Sequence, residues 1–271
     1  PHRMYLKTPL TQRHVLVLID IHKAYFDAGS NVVCTNTFGA NVLKFDEGEL
    51  EDIIMAAIYN AKAARDKSIF KGEKFIALDI GPSGKLLKPL GDLDFEDAVG
   101  IFAKTVKLGT KYGAELIIIE TMNDSYETKA ALLAAKENSD LPVIVSNAYG
   151  EDGKLMTGAS PVAMVAMLEG MGADAIGVNC SLGPAEVRPI VEDYLAHASV
   201  PVLLKPNAGL PRVEEGKTVL VYRNLQTGEE REFSLEDTEW QDEQQWEWVD
   251  TRTEAVESDP VSDALLAEFS L

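Results

Sequence analysis

Glu115-Leu-Ile-Ile-Ile-Glu-Thr-Met-Asn-Asp124 is the stretch on which the reading of the fold turns. Leu116–Ile119 is apolar without a break, where a strand with one face in water would alternate. Such a run suits a strand of a parallel sheet covered on both faces. It stops at Glu120, polar residues follow, and a stretch rich in Ala, Leu and Lys begins at Tyr126. Working outward, the same design recurs. Candidate strands lie at Asn31–Thr37, Lys74–Ile80, Glu115–Glu120, Pro142–Asn147, Ala175–Cys180 and Pro201–Pro206. Helical patterns fill the intervals at Glu49–Ala64, Asp94–Tyr112, Tyr126–Asn138, Pro161–Met171 and Pro184–Ala196, the last two opening on proline. Tandem β-α units imply a parallel α/β fold. Most strands end in a small polar or glycine-rich cluster, such as Thr35-Asn36-Thr37, Asp79 to Gly84, Glu120 to Asp124 and Asn179 to Gly183. Polar residues at the ends of many strands mark a barrel with its site on one face, whereas a doubly wound sheet gathers them at one switch point. The expected class is therefore α/β, a (β/α)8 TIM-type barrel.

The formal charge is −19, and it is unevenly placed. From Gln226 onward there are fifteen acidic residues against two arginines, so the excess belongs to an acidic C-terminal extension. This balance excludes nucleic acid and anionic membrane surfaces as partners, since both require a basic footprint. Two cysteines, Cys34 and Cys180, make no disulfide framework and fit a reducing, cytoplasmic setting. The apolar run Val15–Ile19 is too short to span a bilayer. Thr218–Asn224 and Glu230–Ser234 flank Thr227-Gly228 and predict a β-hairpin. Glu236–Asp250 carries all three tryptophans on a weak helical stripe. Thr251–Val261 has the composition of a disordered segment, and Asp263–Phe269 that of a short helix. The expected division is a barrel over 1–217, a hairpin over 218–235 and an acidic, partly disordered tail over 236–271.

Five strings occur in order: Thr35-Asn-Thr-Phe-Gly-Ala-Asn41, Asp79-Ile-Gly-Pro-Ser-Gly84, Ile118-Ile-Glu-Thr-Met-Asn-Asp124, Gly177-Val-Asn-Cys-Ser-Leu-Gly-Pro184 and Lys205-Pro-Asn-Ala-Gly-Leu-Pro211. Together they resemble the homocysteine S-methyltransferase family, and within it the homocysteine-binding modules of cobalamin-dependent methionine synthases. Asp20–Gly29 is similar to the family's first helix, which makes Val15–Ile19 helical despite its strand-like composition. The resemblance implies methyl transfer to the thiol of homocysteine, giving methionine. It implies a thiolate held on zinc by one cysteine after strand six and a Cys-Cys pair after strand eight, with methylcobalamin as donor. Zinc coordination would deprotonate a thiol whose ordinary pKa is about 8.5. On this pattern Cys180 is the first zinc ligand and a catalytic residue; the alternative is an ordinary cysteine at a strand end. Glu120 would hold the α-amino group of homocysteine, or else cap the helix that follows. Asn36, Asp79, Asn179 and Asn207 would line the same rim or serve as loop and capping residues. Cys34 reads as a small core residue, although alternation puts it on the face of Asn36. The histidines His2, His14, His22 and His197 show no metal spacing and default to surface or interface positions.

The pattern also breaks. Residues 1–13 do not supply the family's first strand, the resemblance fades at Val219, and no cysteine follows Cys180. The barrel is therefore expected to be incomplete or atypically closed. One thiolate makes no tight tetrahedral zinc site unless Cys34, a histidine or a second chain helps. An open arc leaves two strand edges to be covered, by the hairpin or by a homodimer. Three functions compete: zinc-dependent homocysteine methylation with the donor supplied by a separate cobalamin-carrying protein or small molecule; a non-catalytic relative that binds an amino acid or a partner without metal; and a pterin-binding methyltransferase.

Overall fold

The computed structural model describes residues 12–207, 212–214, 217–224, 230–234 and 246–249, with side chains from 15 to 207. The predictions for 251–261 and 263–269, and His2, lie outside the described residues, as does the side chain of His14. Two compact units divide the chain: residues 1–181 with 187–205, and 182–186 with 206–271.

The first unit alternates helix and strand: α1 (Gln12–Asp27), β1 (Val32–Cys34), α2 (Glu47–Lys67), β2 (Phe75–Ile80), α3 (Phe95–Tyr112), β3 (Leu116–Met122), α4 (Ser125–Asn138), β4 (Val143–Asn147), α5 (Pro161–Gly170), β5 (Ala175–Asn179), α6 (Pro184–His197) and β6 (Val202–Lys205). The six strands pair in parallel in the order of the chain. Each predicted strand and helix is present within a few residues, and Val15–Ile19 is helical, as the resemblance implied. Helix α2 starts where Asp46 accepts from the Glu49 amide and the Glu49 side chain accepts from Asp46 N–H, a reciprocal cap. Helix α3 stops at Gly113, whose φ of 84° turns the chain out of the helix.

Alternation along these strands separates two environments. Ile76, Leu78, Ile80, Ile117, Ile119, Val143, Val145, Ile176 and Val178 are buried. They form the layer under the helices: a Cβ on Gly109 of α3 would lie 2.3 Å from Leu78 Cδ2. Burial of each such side chain contributes roughly 1.5–3 kcal/mol before chain entropy is set against it. The opposite face carries Val32, Cys34, Ala77, Leu116, Ile118 and Ile144 in one cluster. Polar side chains continue that face toward the strand ends. Lys205 on β6 reaches Glu120 on β3, three strands away. In a flat sheet three strand spacings amount to about 14 Å, so the sheet curls into a half-barrel with these residues on its concave side. Among the described residues β1 and β6 remain its edges, and the expectation of an incomplete barrel holds.

The second unit contains β7 (Arg212–Glu214), β8 (Lys217–Asn224), β9 (Glu230–Ser234) and β10 (Trp246–Val249), all antiparallel around β8. The hairpin strands pair from Val219 opposite Ser234 to Arg223 opposite Glu230. Trp246–Val249 lies in the stretch whose helical stripe is weak, and it is a strand on β8, where alternating Trp-Glu-Trp-Val suits a sheet. His22 is a correction. It is buried in α1 rather than exposed, and burial lowers its pKa. No helix among the described residues is long and apolar enough to cross a membrane.

Close approach of β5 and β6 requires glycine at 177, where a Cβ would sit 1.9 Å from the Leu203 carbonyl oxygen. Gly177→Ala is therefore expected to cost about 2–3 kcal/mol in urea unfolding. Gly100→Ala, in open space on α3, should stabilise by about 0.5–1 kcal/mol. Equal effects of the two substitutions would contradict this packing.

Candidate functional site

The tips of the strands are tied to one another before any side chain is free to meet a ligand. Thr35 Oγ1 and Thr37 Oγ1 lie 2.7 Å apart just beyond β1. Thr37 donates to the Asp79 carbonyl, and the Asp79 amide donates to Thr35, so the end of β2 is clasped on both sides. The following loop is anchored by Glu127 of α4, which accepts from the Ser83 amide at 2.8 Å and from its hydroxyl.

The end of β3 is irregular. Ile119 pairs with Val145 and Met122 with Asn147, so Glu120 and Thr121 form a bulge opposite Ser146. Thr121 has φ 60°, a left-handed conformation that a β-branched residue adopts only when its surroundings hold it there. Asn179 at the end of β5 does so. Its Oδ1 accepts from the Thr121 amide at 2.8 Å and from Ser146 Oγ at 2.7 Å, while Nδ2 donates to Thr121 Oγ1 at 2.8 Å. One buried amide thus joins β3, β4 and β5 and fixes the backbone beside Glu120.

Glu120 itself lies on the concave side with its side chain 15% exposed, and Lys205 Nζ stands 2.5 Å from its Oε2. Asp79 shares the face on the neighbouring strand. It is buried, and its Oδ1 has no hydrogen-bond partner among the described residues. Loss of water and the nearby Glu120 charge push its carboxyl up to about 8, against the pull of Lys205. The half-buried Cys34 thiol is pushed up to about 12 by burial first and by Asp79 second. Cys34 therefore packs on Ala77, Leu116 and Ile118 as a small core residue, yet it belongs to the wall that carries Asp79.

The other residues singled out from sequence are distributed along the tips. Cys180 follows Asn179, is exposed, and has φ 61°, with its amide donating to the Lys205 carbonyl. Ser181 is left-handed as well. Asn36 is exposed between the buried Thr35 and Thr37. Asn207 belongs to the second unit, where its amide donates to the Leu182 carbonyl. Sequence reasoning did not single out Lys205, Thr121 or Ser146. The signal for Lys205 was present: it closes the apolar run Val202-Leu-Leu as Glu120 closes its own.

The donor set for zinc falls short. A site that admits a substrate sulfur needs three protein ligands and one open position. No group of three His, Cys, Asp or Glu side chains placed to share a metal ion occurs among the described residues. The chain's second cysteine, Cys34, holds its proton. The described residues do not fit a zinc centre.

Asp79 gives a pH signature. Folded, it keeps its proton to about pH 8; unfolded, it releases it near 3.8. The native state binds the extra proton, so this group's contribution to stability falls as pH rises from about 4 to about 8 and is level above. Asp79→Asn should remove that decline. In thermal melts its Tm should gain on the unsubstituted protein across the window, whereas parallel Tm–pH curves would contradict a protonated Asp79.

Comparison with known proteins places this geometry. A family model described as homocysteine S-methyltransferase matches residues 3–256, beyond Val219 where the motif resemblance fades. Methionine synthase of Mycobacterium leprae is 30% identical over 205 residues, covering 72% of this chain and 17% of that protein. Methionine synthase of Mycobacterium tuberculosis is 31% identical over 205 residues, with the same coverage. The chain thus spans 17% of the length of these curated relatives. The apo form of the homocysteine methyltransferase MmuM from Escherichia coli superimposes with a TM-score of 0.63 at 19% identity, over 73% of each chain. Its metallated form gives 0.63 at 18%, over 75% of this chain and 79% of that one. The structural likeness supports the (β/α) barrel, and the sequence match runs over nearly the whole chain: it belongs to the homocysteine S-methyltransferase family.

Proposed function

We propose that this chain binds homocysteine at the strand tips of its half-barrel and presents the thiol for methylation to methionine. Family membership supports the reaction class. The single observation that carries the site is Glu120, a carboxylate on a pinned bulge at the end of an apolar strand, already bound to an ammonium group. In this reading Glu120 takes the α-ammonium of homocysteine through a charge-assisted hydrogen bond. Asp79 and Asn36 line the rim. Asn179 is a positioning residue, because its amide is engaged by Thr121 and Ser146.

The chemistry is a displacement at carbon. The homocysteine thiol gives up its proton, a sulfur lone pair forms the new S–C bond, and the donor keeps the electron pair of the methyl bond that breaks. We assign the donor to a source outside these residues, methylcobalamin on a cobalamin-carrying protein being the one the resemblance implies. Cys180 occupies the zinc-ligand position of the family motif, and in the catalytic reading further ligands join it from outside the described residues or from a second copy in a homodimer. The two unpaired cysteines support a cytoplasmic setting. The shortfall of metal donors favours a second reading, an amino-acid-binding relative that works without metal.

Isothermal titration with homocysteine under reducing conditions tests the site. Glu120→Gln should weaken binding on the order of 10–100-fold, the value of one hydrogen-bonded charge. Equal affinity of the two proteins would overturn the assignment. Metal analysis separates the readings: about one zinc per chain, lost in Cys180→Ala, supports catalysis. Binding that persists unchanged after chelation, with no methyl transfer, supports the second.

A further inference from the structure

The concave face holds an ion pair and a buried acid that the motif resemblance leaves without a joint role. Lys205 Nζ is seated on Glu120 Oε2. That contact has the same chemistry as an α-ammonium group on the same carboxylate. Asp79, two strand positions above Ala77 on the same face, is 6% exposed with Oδ1 unpartnered. A buried oxygen on the wall of a site, left without a partner by the described residues, calls for one from a ligand.

We propose that Glu120, Lys205 and Asp79 form one subsite for the zwitterionic backbone of an α-amino acid, with Lys205 as the residue that reads the α-carboxylate. The inference rests on the reading of Glu120 as the ammonium site and adds what selects the other half of the ligand. When a ligand ammonium takes Glu120, the Lys205 ammonium is displaced by a like charge. It needs a new anion close by, and an α-carboxylate stands two bonds from the incoming nitrogen. The exchange replaces one ion pair by two alternating ones. A ligand that carries only an amine leaves two cations competing for Glu120. A ligand that carries only a carboxylate takes Lys205 and strands Glu120, which is 15% exposed. Only the zwitterion leaves every charge paired.

The remaining groups on this face agree with a ligand of zero net charge. Burial and the Glu120 charge keep Asp79 protonated, and Cys34 is neutral too. The face thus presents one anion and one cation. A protonated Asp79 also has a donor to offer, which suits a carboxylate oxygen. An ionised Asp79 would instead make the site favour simple amines.

The test uses the full chain and three thiols in titration calorimetry: homocysteine, 3-aminopropane-1-thiol, which lacks the carboxylate, and 4-mercaptobutanoate, which lacks the amine. The unsubstituted protein should prefer homocysteine to either by on the order of 10-fold or more. In Lys205→Met homocysteine should weaken by about 10–100-fold while 3-aminopropane-1-thiol does not, so that the preference collapses. Lys205→Gln serves if the methionine variant melts early. Asp79→Asn keeps a neutral donor and should stay within about threefold; Asp79→Leu should lose about tenfold for homocysteine alone. Unchanged preference in both Lys205 variants would overturn the inference and leave homocysteine binding at Glu120 standing. Failure of the unsubstituted protein to bind homocysteine would overturn both.

Discussion

The side-chain amide of Asn179 is where three strand tips meet, and the site depends on it. Its oxygen holds the Thr121 amide and Ser146, and its nitrogen holds the Thr121 hydroxyl. These bonds stabilise a left-handed threonine that would otherwise relax. With Thr121 fixed, Glu120 keeps the concave face that alternation from Leu116 and Ile118 gives it, and Met122 returns to full burial two residues further on. Without the extra residue, regular alternation would turn Met122 inward and re-aim everything after Thr121.

Burial then decides the charge state of what the tips hold. Glu120 lies against Lys205, whereas Asp79 and Cys34 are walled in without an opposing charge of their own. The Glu120 side chain is only 15% exposed, so removing Lys205 would leave a largely buried charge uncompensated. The acid and the thiol answer the same environment by holding their protons. The outcome is a face with balanced charge inside a chain whose net charge is −19. The acidity that dominates the composition has no counterpart at the site.

Much of this was legible in the sequence, and the reasons are physical. Unbroken apolar runs such as Leu116–Ile119 announce parallel strands because both faces are covered, and polar closures such as Glu120 announce the tips. What escaped were features set by tertiary register. The partnership of Lys205 with Glu120 spans 85 residues and exists only once the sheet curls. The role of Asn179 as a strap depends on a bulge two strands away, and no local pattern in Ile118–Asp124 foretells it. His22 shares the buried face of α1 with Ile19 and Phe26, but the exposed apolar residues Leu16, Val17, Ile21 and Tyr25 hide that stripe in the sequence. Trp246–Val249 was obscured by surrounding acidic and Gln residues, which dilute a two-residue period. The missing Cys-Cys pair, by contrast, is plain in the sequence, and the structure adds that the described residues do not assemble a substitute.

Lineage and ligand count thus pull in different directions, and the strand tips are where they can be reconciled. The most direct measurement is a crystal structure of the chain soaked with homocysteine. The account predicts the ligand on the concave face, its nitrogen within hydrogen-bond distance of Glu120 and Lys205 Nζ moved onto its carboxylate. Homocysteine bound elsewhere, with Lys205 still seated on Glu120, would contradict it.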